Sequence, residues 1–251
     1  TNSNSIVSAL AALTERSLTA AVRDGGLIFE AVSPIFYLAG FSVALHGLID
    51  TEHVSYAQYL APGVVVQSVI FVALFTADRA ARDRVIGLGQ RLRTLPIATS
   101  APVNARMAAT LVRGALILAV AVAAGYAFGF RIYGGLGYAA AFVGIALLLC
   151  LSVALGADAL GSGTKSVQGA THMLFVPQLL LFLLSTGIAP KKTFPEWLQP
   201  FVRNQPVSQV AETLRSLANG QVASNLAVSL AWCFGMVMIF GVITLRLQRR
   251  G

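Results

Sequence analysis

The segment DRAARDRVIGLGQRLRTLPIATSAPVNAR (residues 78–106) decides the fold, because it is the one long polar break in an otherwise apolar chain. It contains six arginines and only two aspartates. A basic segment between two apolar runs is what the positive-inside rule predicts for a cytoplasmic loop. Leu88, Leu92 and Leu95 are spaced to share one face of a short helix, and Pro96 disfavours continuing that helix. A helix with an apolar stripe and exposed arginines suits docking onto a soluble partner.

Composition places the chain among membrane proteins. Of its 251 residues 56% are hydrophobic and only 11% are charged, with a mean hydropathy of +0.74, whereas a soluble domain has about 25% charged residues. The net charge of +8 comes from basic residues that flank apolar runs. Lipid headgroups therefore account for that charge, and nucleic acid is not expected as a partner. Cys150 and Cys233 lie within apolar runs, so no disulfide is predicted.

The pattern predicts an all-α protein with two parts. Residues 1–26 form an interfacial helix that presents Arg16 and Arg23 to lipid phosphates, or alternatively a soluble helix or tail. Residues 27–251 form a membrane domain with six transmembrane helices, predicted at residues 27–49, 60–76, 107–130, 137–160, 169–189 and 223–245. With both termini cytoplasmic, 13 of the 18 lysines and arginines lie on the inner side. This bias supports a multi-pass protein of the plasma (inner) membrane with that orientation.

Residues 190–222 make the only long outer segment. Phe194, Trp197 and Phe201 have helical spacing, and a second amphipathic helix follows after residue 206. Thr193 and Glu196 have capping-box spacing for the first helix, and Asn219-Gly220 supplies a stop for the second. Both helices are too short to cross a bilayer, so they either dip into the outer leaflet as re-entrant helices or pack on the spans. Their aromatic residues form an outer gate or an aromatic belt.

Polar residues within the spans are the candidate internal sites. Glu30 is costly at membrane depth, so it is either functional or placed at the inner headgroup level with Arg23 or another neighbour. Asp158 has the same interfacial interpretation, and Arg113 is expected to extend its guanidinium to the inner interface. The uncharged candidates either line a path or join helices in lipid; they are Gln67, Gln178 and Ser185.

Sequence motifs of common enzymes are absent. The chain has no GxxxxGK[ST] loop for nucleotide phosphates, no HExxH and no GxSxG. The histidines are far apart in the predicted topology, so no metal site is expected. Any ATP hydrolysis that drives this protein is therefore expected on a separate subunit, and the chain itself is not predicted to be an enzyme.

Two stretches resemble the type-2 ABC exporter permeases, most closely the daunorubicin/doxorubicin-resistance type of actinobacteria. YLAPGVVVQSVIF (residues 59–71) and ARDRVIGLGQRLRTLPI (81–97) are similar to the second span and coupling region of that family. Pro177, Ser185-Thr186-Gly187 and Pro190 resemble its fifth span. FPEWLQPFVRNQPVSQVAETLRSL (194–217) resembles its outer re-entrant helices. The similarity covers nearly the whole chain.

The resemblance implies a permease that works with a second permease subunit and two cytoplasmic ABC ATPase subunits, which bind the ATP and Mg. It implies that the N-terminal helix clasps the ATPase and that the helix around residues 87–95 enters a cleft on it; the coupling residues are Gly87, Leu88, Gln90, Arg91, Leu92, Arg93, Leu95 and Pro96. Cargo, an amphipathic drug or a cell-envelope lipid, is expected to move along the first, second and fifth spans. This path adds three aromatic candidates, Phe36, Phe71 and Phe182.

One departure from the family pattern concerns the coupling helix. Family members usually have acidic residues where this chain has Val85 and Gln90. The departure suggests that this chain is one of two non-identical permease subunits and that the other subunit keeps the acidic residues. Two alternatives stay open: a non-transporting anchor or assembly subunit of an envelope complex, and a secondary transporter driven by an ion gradient.

Overall fold

The computed structural model describes residues 19, 26–45, 56–86, 101–164 and 167–250. These residues contain eight α-helices and no strand: α1 (Gly26–Leu45), α2 (Tyr56–Val85), α3 (Ala101–Ala127), α4 (Gly135–Gly163), α5 (Val167–Leu183), α6 (Gln199–Asn204), α7 (Pro206–Ala218) and α8 (Leu226–Arg250). Five of them, α1, α2, α3, α4 and α8, are long and apolar enough to cross a membrane. The all-helical class predicted from composition is therefore confirmed for the described residues.

Contacts at the two ends of the bundle fix the directions of α2, α3 and α4. At one end, here called the base, α2 and α4 end and α3 begins, and Arg106 contacts both Asp83 and Asp158. At the opposite end, the top, Gln58 at the start of α2 donates to the Arg131 carbonyl after α3 and to Asn219 after α7. Consecutive helices from α2 to α4 thus run antiparallel, as is usual for neighbouring helices in a bundle.

Helix α2 is the centre of the bundle, and most of its residues are buried. It continues to Val85, well past the predicted end of the second span at residue 76, because no glycine or proline lies between residue 76 and Gly87. Thirty residues measure about 45 Å, roughly 15 Å more than the hydrocarbon core. Arg82 bonds Asp78 one turn earlier at 2.9 Å on this extension. The first part of the basic segment is therefore helical and projects from the base.

Helix α5 is shorter than the predicted fifth span of residues 169–189. It ends at Leu183 after 17 residues, with Pro177 tolerated inside it, and the chain then turns through residues 184–190. Gln205 donates to the carbonyls of Leu181 (3.0 Å) and Leu184 (2.5 Å), which caps the end of this helix. The last part of the predicted span is consequently a turn held by side chains from elsewhere in the sequence.

The outer segment packs on the bundle top through α7. Val210, Ala211 and Leu214 of this amphipathic helix are buried, and α7 contacts α2, α4 and α8. Gly220 has φ +72°, so the predicted Asn219-Gly220 stop is confirmed. The capping box predicted at Thr193 is wrong, because Thr193 ends a 3-10 helix (Lys191–Thr193) and α6 begins only at Gln199.

Close approach of α2 and α4 at the base depends on glycine. A Cβ at Gly161 would overlap the Ala77 carbonyl, whereas a Cβ at Gly144 of the same helix meets no atom within 4 Å. We expect Gly161→Ala to destabilise the protein by about 1–3 kcal/mol, while Gly144→Ala is neutral or slightly stabilising because alanine favours helix. Thermal unfolding in detergent measures both. Equal melting temperatures for the two variants would contradict the close contact.

Candidate functional site

Three charged side chains form an ion cluster at the base. Arg106 of α3 donates from Nε to Asp158 Oδ1 of α4 at 2.6 Å and from a terminal nitrogen to Asp83 Oδ2 of α2 at 3.0 Å. Asp158 is fully buried, whereas Asp83 remains partly exposed. The Asp158 carboxylate is enclosed by protein, and its interfacial depth in the membrane stays a prediction. One arginine holds the ends of three helices together.

A second ion pair lies two helical turns further along α3, about 10 Å from the first. Arg113 donates to Glu30 of α1, and both side chains are almost completely excluded from solvent. Glu30 Oε2 and two guanidinium nitrogens of Arg113 have no hydrogen-bond partner. Between the two levels, the hydroxyls of Thr76 and Thr110 are hydrogen-bonded at 2.9 Å. The expectation that Arg113 extends to the interface is wrong, because its head group turns inward to the acidic residue.

The coupling residues implied by the resemblance lie outside the described residues. They are Gly87, Leu88, Gln90, Arg91, Leu92, Arg93, Leu95 and Pro96, with Arg16 and Arg23 of the N-terminal segment. The ion cluster nevertheless lies beside that region in sequence, because Asp83 precedes residue 87 by four positions and Arg106 follows residue 100 by six.

Aromatic side chains line the contact of α1, α2 and α5 in two groups. Phe71 of α2 meets Phe29, Phe75 and Phe175, with ring centroids 5.2–6.4 Å apart. Nearer the top, Phe182 of α5 meets Tyr37 and Phe41 of α1 at 5.8 and 6.2 Å. The predicted path residues Phe71, Phe182 and Gln178 are thus buried on α2 and α5, at positions along this contact. Apart from being aromatic, their neighbours on α1 have no feature in the sequence that marks them as part of this contact.

Three other predicted path residues stand apart from that contact. Phe36 is 71% exposed on the outside of α1, and Ser185 is used in the turn after α5, where it donates to the Phe182 carbonyl and accepts from the Gly187 amide. Glu30 is bound to Arg113 on the side of α1 that faces α3. The predicted path residues therefore do not form one continuous surface in this arrangement.

A cation–aromatic contact fixes the outer segment to the top of α2. The Arg215 guanidinium lies 3.7 Å from the centroid of the Tyr59 ring and donates to the carbonyls of Tyr59 and Thr186. Burial lowers the pKa of Arg215 from its ordinary value, while Tyr59 and Glu212 act in the opposite direction. Tyr59 also donates to the Thr186 carbonyl at 2.8 Å. Helix α7, α2 and the turn after α5 are thereby joined.

The residues predicted as an outer gate lie at the edge of this segment. Trp197 is 80% exposed and Phe201 is 49% exposed, whereas Phe194 is half-buried and its carbonyl accepts from Gln199. No group of three or more metal-binding side chains occurs among the described residues.

Comparison with known proteins identifies the family. The family model described as "ABC-2 type transporter" matches residues 8–219 of this chain. This chain belongs to the ABC-2 type transporter family. The doxorubicin resistance ABC transporter permease protein DrrB of Mycobacterium tuberculosis is 31% identical over 95% of this chain and 88% of its own length.

Two further relatives have similar names. The daunorubicin resistance ABC transporter permease protein DrrB1 of Streptomyces coeruleorubidus is 31% identical over 89% of this chain and 79% of its own length. The probable doxorubicin resistance ABC transporter permease protein DrrC of Mycobacterium tuberculosis is 28% identical over 91% and 84%. Family membership and the apolar helices together make this chain a multi-pass membrane protein, and the resemblance drawn from its motifs is confirmed.

Proposed function

We propose that this chain is the permease subunit of an ATP-driven exporter that moves an amphipathic drug or a cell-envelope lipid outward across the plasma membrane. The observation that carries the proposal is the near full-length similarity to permeases named for drug resistance. Two cytoplasmic ATPase subunits bind ATP and Mg and supply the force. Purification of the tagged chain from its native membrane, followed by an assay of ATP-dependent export in proteoliposomes, tests this function. Absence of a P-loop ATPase from the purified complex would contradict it.

We also propose six crossings, with α5 and the turn after it forming the fifth. Helix α4 ends at the base, yet α8 begins near the top, where Asn225 bonds Gln209 of α7. The chain between them has to return, and the contact of Phe175 with Phe71 is consistent with α5 running antiparallel to α2. Six crossings leave both termini on the side of the basic loop, which the positive-inside rule assigns to the cytoplasm.

The proposed coupling begins at the segment between α2 and α3. Movement of the ATPases pushes the helix around residues 87–95 and so displaces the ends of α2 and α3, which Asp83 and Arg106 hold together. Arg113 then carries the displacement of α3 to α1 through Glu30. Such a push shifts an inward-open to outward-open equilibrium only if the ATPase binds one state better than the other.

Substitutions on the coupling helix test this arrangement. We expect Leu88→Asp and Arg91→Glu each to reduce ATP-driven export by at least about tenfold, because each removes a docking contact with the ATPase. A tenfold loss corresponds to a contact worth about 1.4 kcal/mol. The amount of protein in the membrane should stay unchanged, since both residues lie outside the spans. The matched control is Arg203→Glu, which reverses an exposed charge at the opposite end of the bundle. Normal export by both coupling variants would count against the docking role.

The partner permease is proposed to be a different chain. Val85 and Gln90 stand where the family usually has acidic residues, so two copies of this chain would leave both coupling helices without those carboxylates. Mass spectrometry of the intact complex gives the stoichiometry. Finding one permease species in two copies would refute the heteromeric assembly.

The proposed route for cargo follows α1, α2 and α5 toward Phe194, Trp197 and Phe201. Its support is the aromatic contact of these three helices, which offers ring surface to an apolar molecule. The exposed Trp197 then contacts the outer leaflet near the exit.

A further inference from the structure

Two glutamines in the interior of the bundle have amide atoms without partners. Gln67 of α2 is 1% exposed and its Oε1 accepts no hydrogen bond, while Gln178 of α5 is 7% exposed and both its Oε1 and Nε2 are unpaired. Two other buried polar groups of α2 are satisfied: Ser68 donates to the Val64 carbonyl at 2.7 Å and Gln58 to the Arg131 carbonyl at 2.8 Å. An unpaired amide in an apolar interior is costly, so these two need an explanation.

The register of α2 against α5 places the two amides at one level. Gly63, Gln67 and Phe71 are four residues apart and share one face of α2. Gly63 approaches the backbone of Gly187, and Phe71 meets Phe175 with centroids 6.4 Å apart. Gln67 lies midway between these contacts, on the face of α2 that meets α5. Gln178 lies three residues beyond Phe175 on α5, hence at a corresponding height.

Aromatic groups bound this level on both sides. Toward the base, Phe71 packs with Phe29, Phe75 and Phe175, and toward the top Phe182 packs with Tyr37 and Phe41. An amide both donates and accepts, so a neutral carbonyl or hydroxyl satisfies it, while the aromatic groups suit an apolar ring or chain. The Glu30 carboxylate is bound to Arg113 on the side of α1 that faces α3, so it is not free for a cationic ligand.

We propose that Gln67 and Gln178 form a subsite for a neutral carbonyl or hydroxyl group of the cargo, held between the two aromatic groups. The inference rests on the proposed function, and it adds which part of an amphipathic cargo this protein recognises. The subsite opens when α2 and α5 separate, because both amides are enclosed by protein in the present arrangement. Two sources can supply such a group: an oxygenated ring compound or the neutral ester and hydroxyl groups of a lipid.

Binding to the complete complex in lipid nanodiscs tests the subsite. The first probe is doxorubicin, whose ring system has carbonyl and hydroxyl groups and whose fluorescence reports binding. The second measurement is mass spectrometry of lipids that co-purify from the native membrane. We expect Gln67→Leu and Gln178→Leu each to weaken binding of one of these ligands about five- to tenfold, the value of a lost hydrogen bond. Ser68→Ala, equally buried and bonded within its own helix, should leave binding unchanged.

The melting temperature separates recognition from a structural role. Leucine has a volume close to that of glutamine and removes unpaired amide atoms, so both variants should melt at the wild-type temperature or above it. Loss of doxorubicin binding identifies a ring compound as the ligand, and selective loss of a neutral lipid identifies a lipid. Unchanged binding of both, or a lower melting temperature with binding intact, overturns the subsite. If only the subsite is wrong, the wild-type complex still exports its cargo with ATP. If the proposed function is wrong, there is no ATP-dependent export at all.

Discussion

Replacing Arg113 with leucine is expected to remove most of the folded protein from the membrane. The substitution leaves the Glu30 carboxylate fully buried without its only ionic partner among the described residues. Breaking a buried ion pair in this way costs about 3–5 kcal/mol, which is a large part of the about 5–15 kcal/mol that separates typical folded and unfolded states.

Fluorescence-detected size-exclusion chromatography measures the folded fraction, and a double variant supplies the decisive comparison. Glu30→Leu should be as damaging as Arg113→Leu, because it leaves the guanidinium alone. Glu30→Leu combined with Arg113→Leu should recover much of the folded protein, since it replaces a buried pair by apolar side chains. Asp78→Asn disrupts the exposed pair with Arg82 and should cost only about 0.3–0.5 kcal/mol. A normal folded fraction in the single variants, or no recovery in the double variant, would contradict the pairing.

The membrane-spanning helices could be predicted from the sequence, because segments that cross the hydrocarbon core are runs of apolar residues. Five predicted spans correspond to α1, α2, α3, α4 and α8, and the boundaries differ mainly at the base. There α2 and α3 extend into the basic segment, where arginine and alanine both favour helix. The helix at the predicted fifth span ends at Leu183, because residues 184–189 form a turn that Gln205 and Tyr59 hold from distant parts of the chain.

The partners of the charged residues could not be predicted. Glu30 and Arg113 are 83 positions apart, and composition indicates their depth without indicating which side of each helix they occupy. A helix that is apolar on all sides has no amphipathic pattern to mark its buried face. For the same reason Phe36 and Phe71 were equally good path candidates, although Phe36 is exposed on α1 and Phe71 is buried in the bundle. Only the packing of the helices separates them.

The arginine at the base leads to the second large expected effect, which concerns coupling. Arg106 binds Asp158 and Asp83 with different nitrogens of one planar guanidinium, so it joins the end of α2 to α3 and α4. Lysine keeps the charge but presents a single ammonium on a flexible chain, and it does not reproduce both contacts in fixed geometry. We therefore expect Arg106→Lys to fold, because Asp158 retains a cation, and to lose about tenfold in export per ATP hydrolysed, as for a contact worth about 1.4 kcal/mol.

Asp83→Asn separates the two arms of the cluster, because it weakens only the contact to α2 and leaves the Arg106–Asp158 pair intact. If force passes from the end of α2 through Asp83 to Arg106, this variant should reproduce the coupling loss of Arg106→Lys at a normal melting temperature. The matched control is Arg84→Lys, since Arg84 is adjacent in sequence but donates to the Ser162 carbonyl outside the cluster. Export and ATP hydrolysis are measured together in proteoliposomes that contain the whole complex. Wild-type export per ATP in both Arg106→Lys and Asp83→Asn would exclude this cluster from force transmission. A partly exposed ion pair contributes little to stability on its own, so the melting temperature of Asp83→Asn should not fall. A fall would assign Asp83 to stability instead.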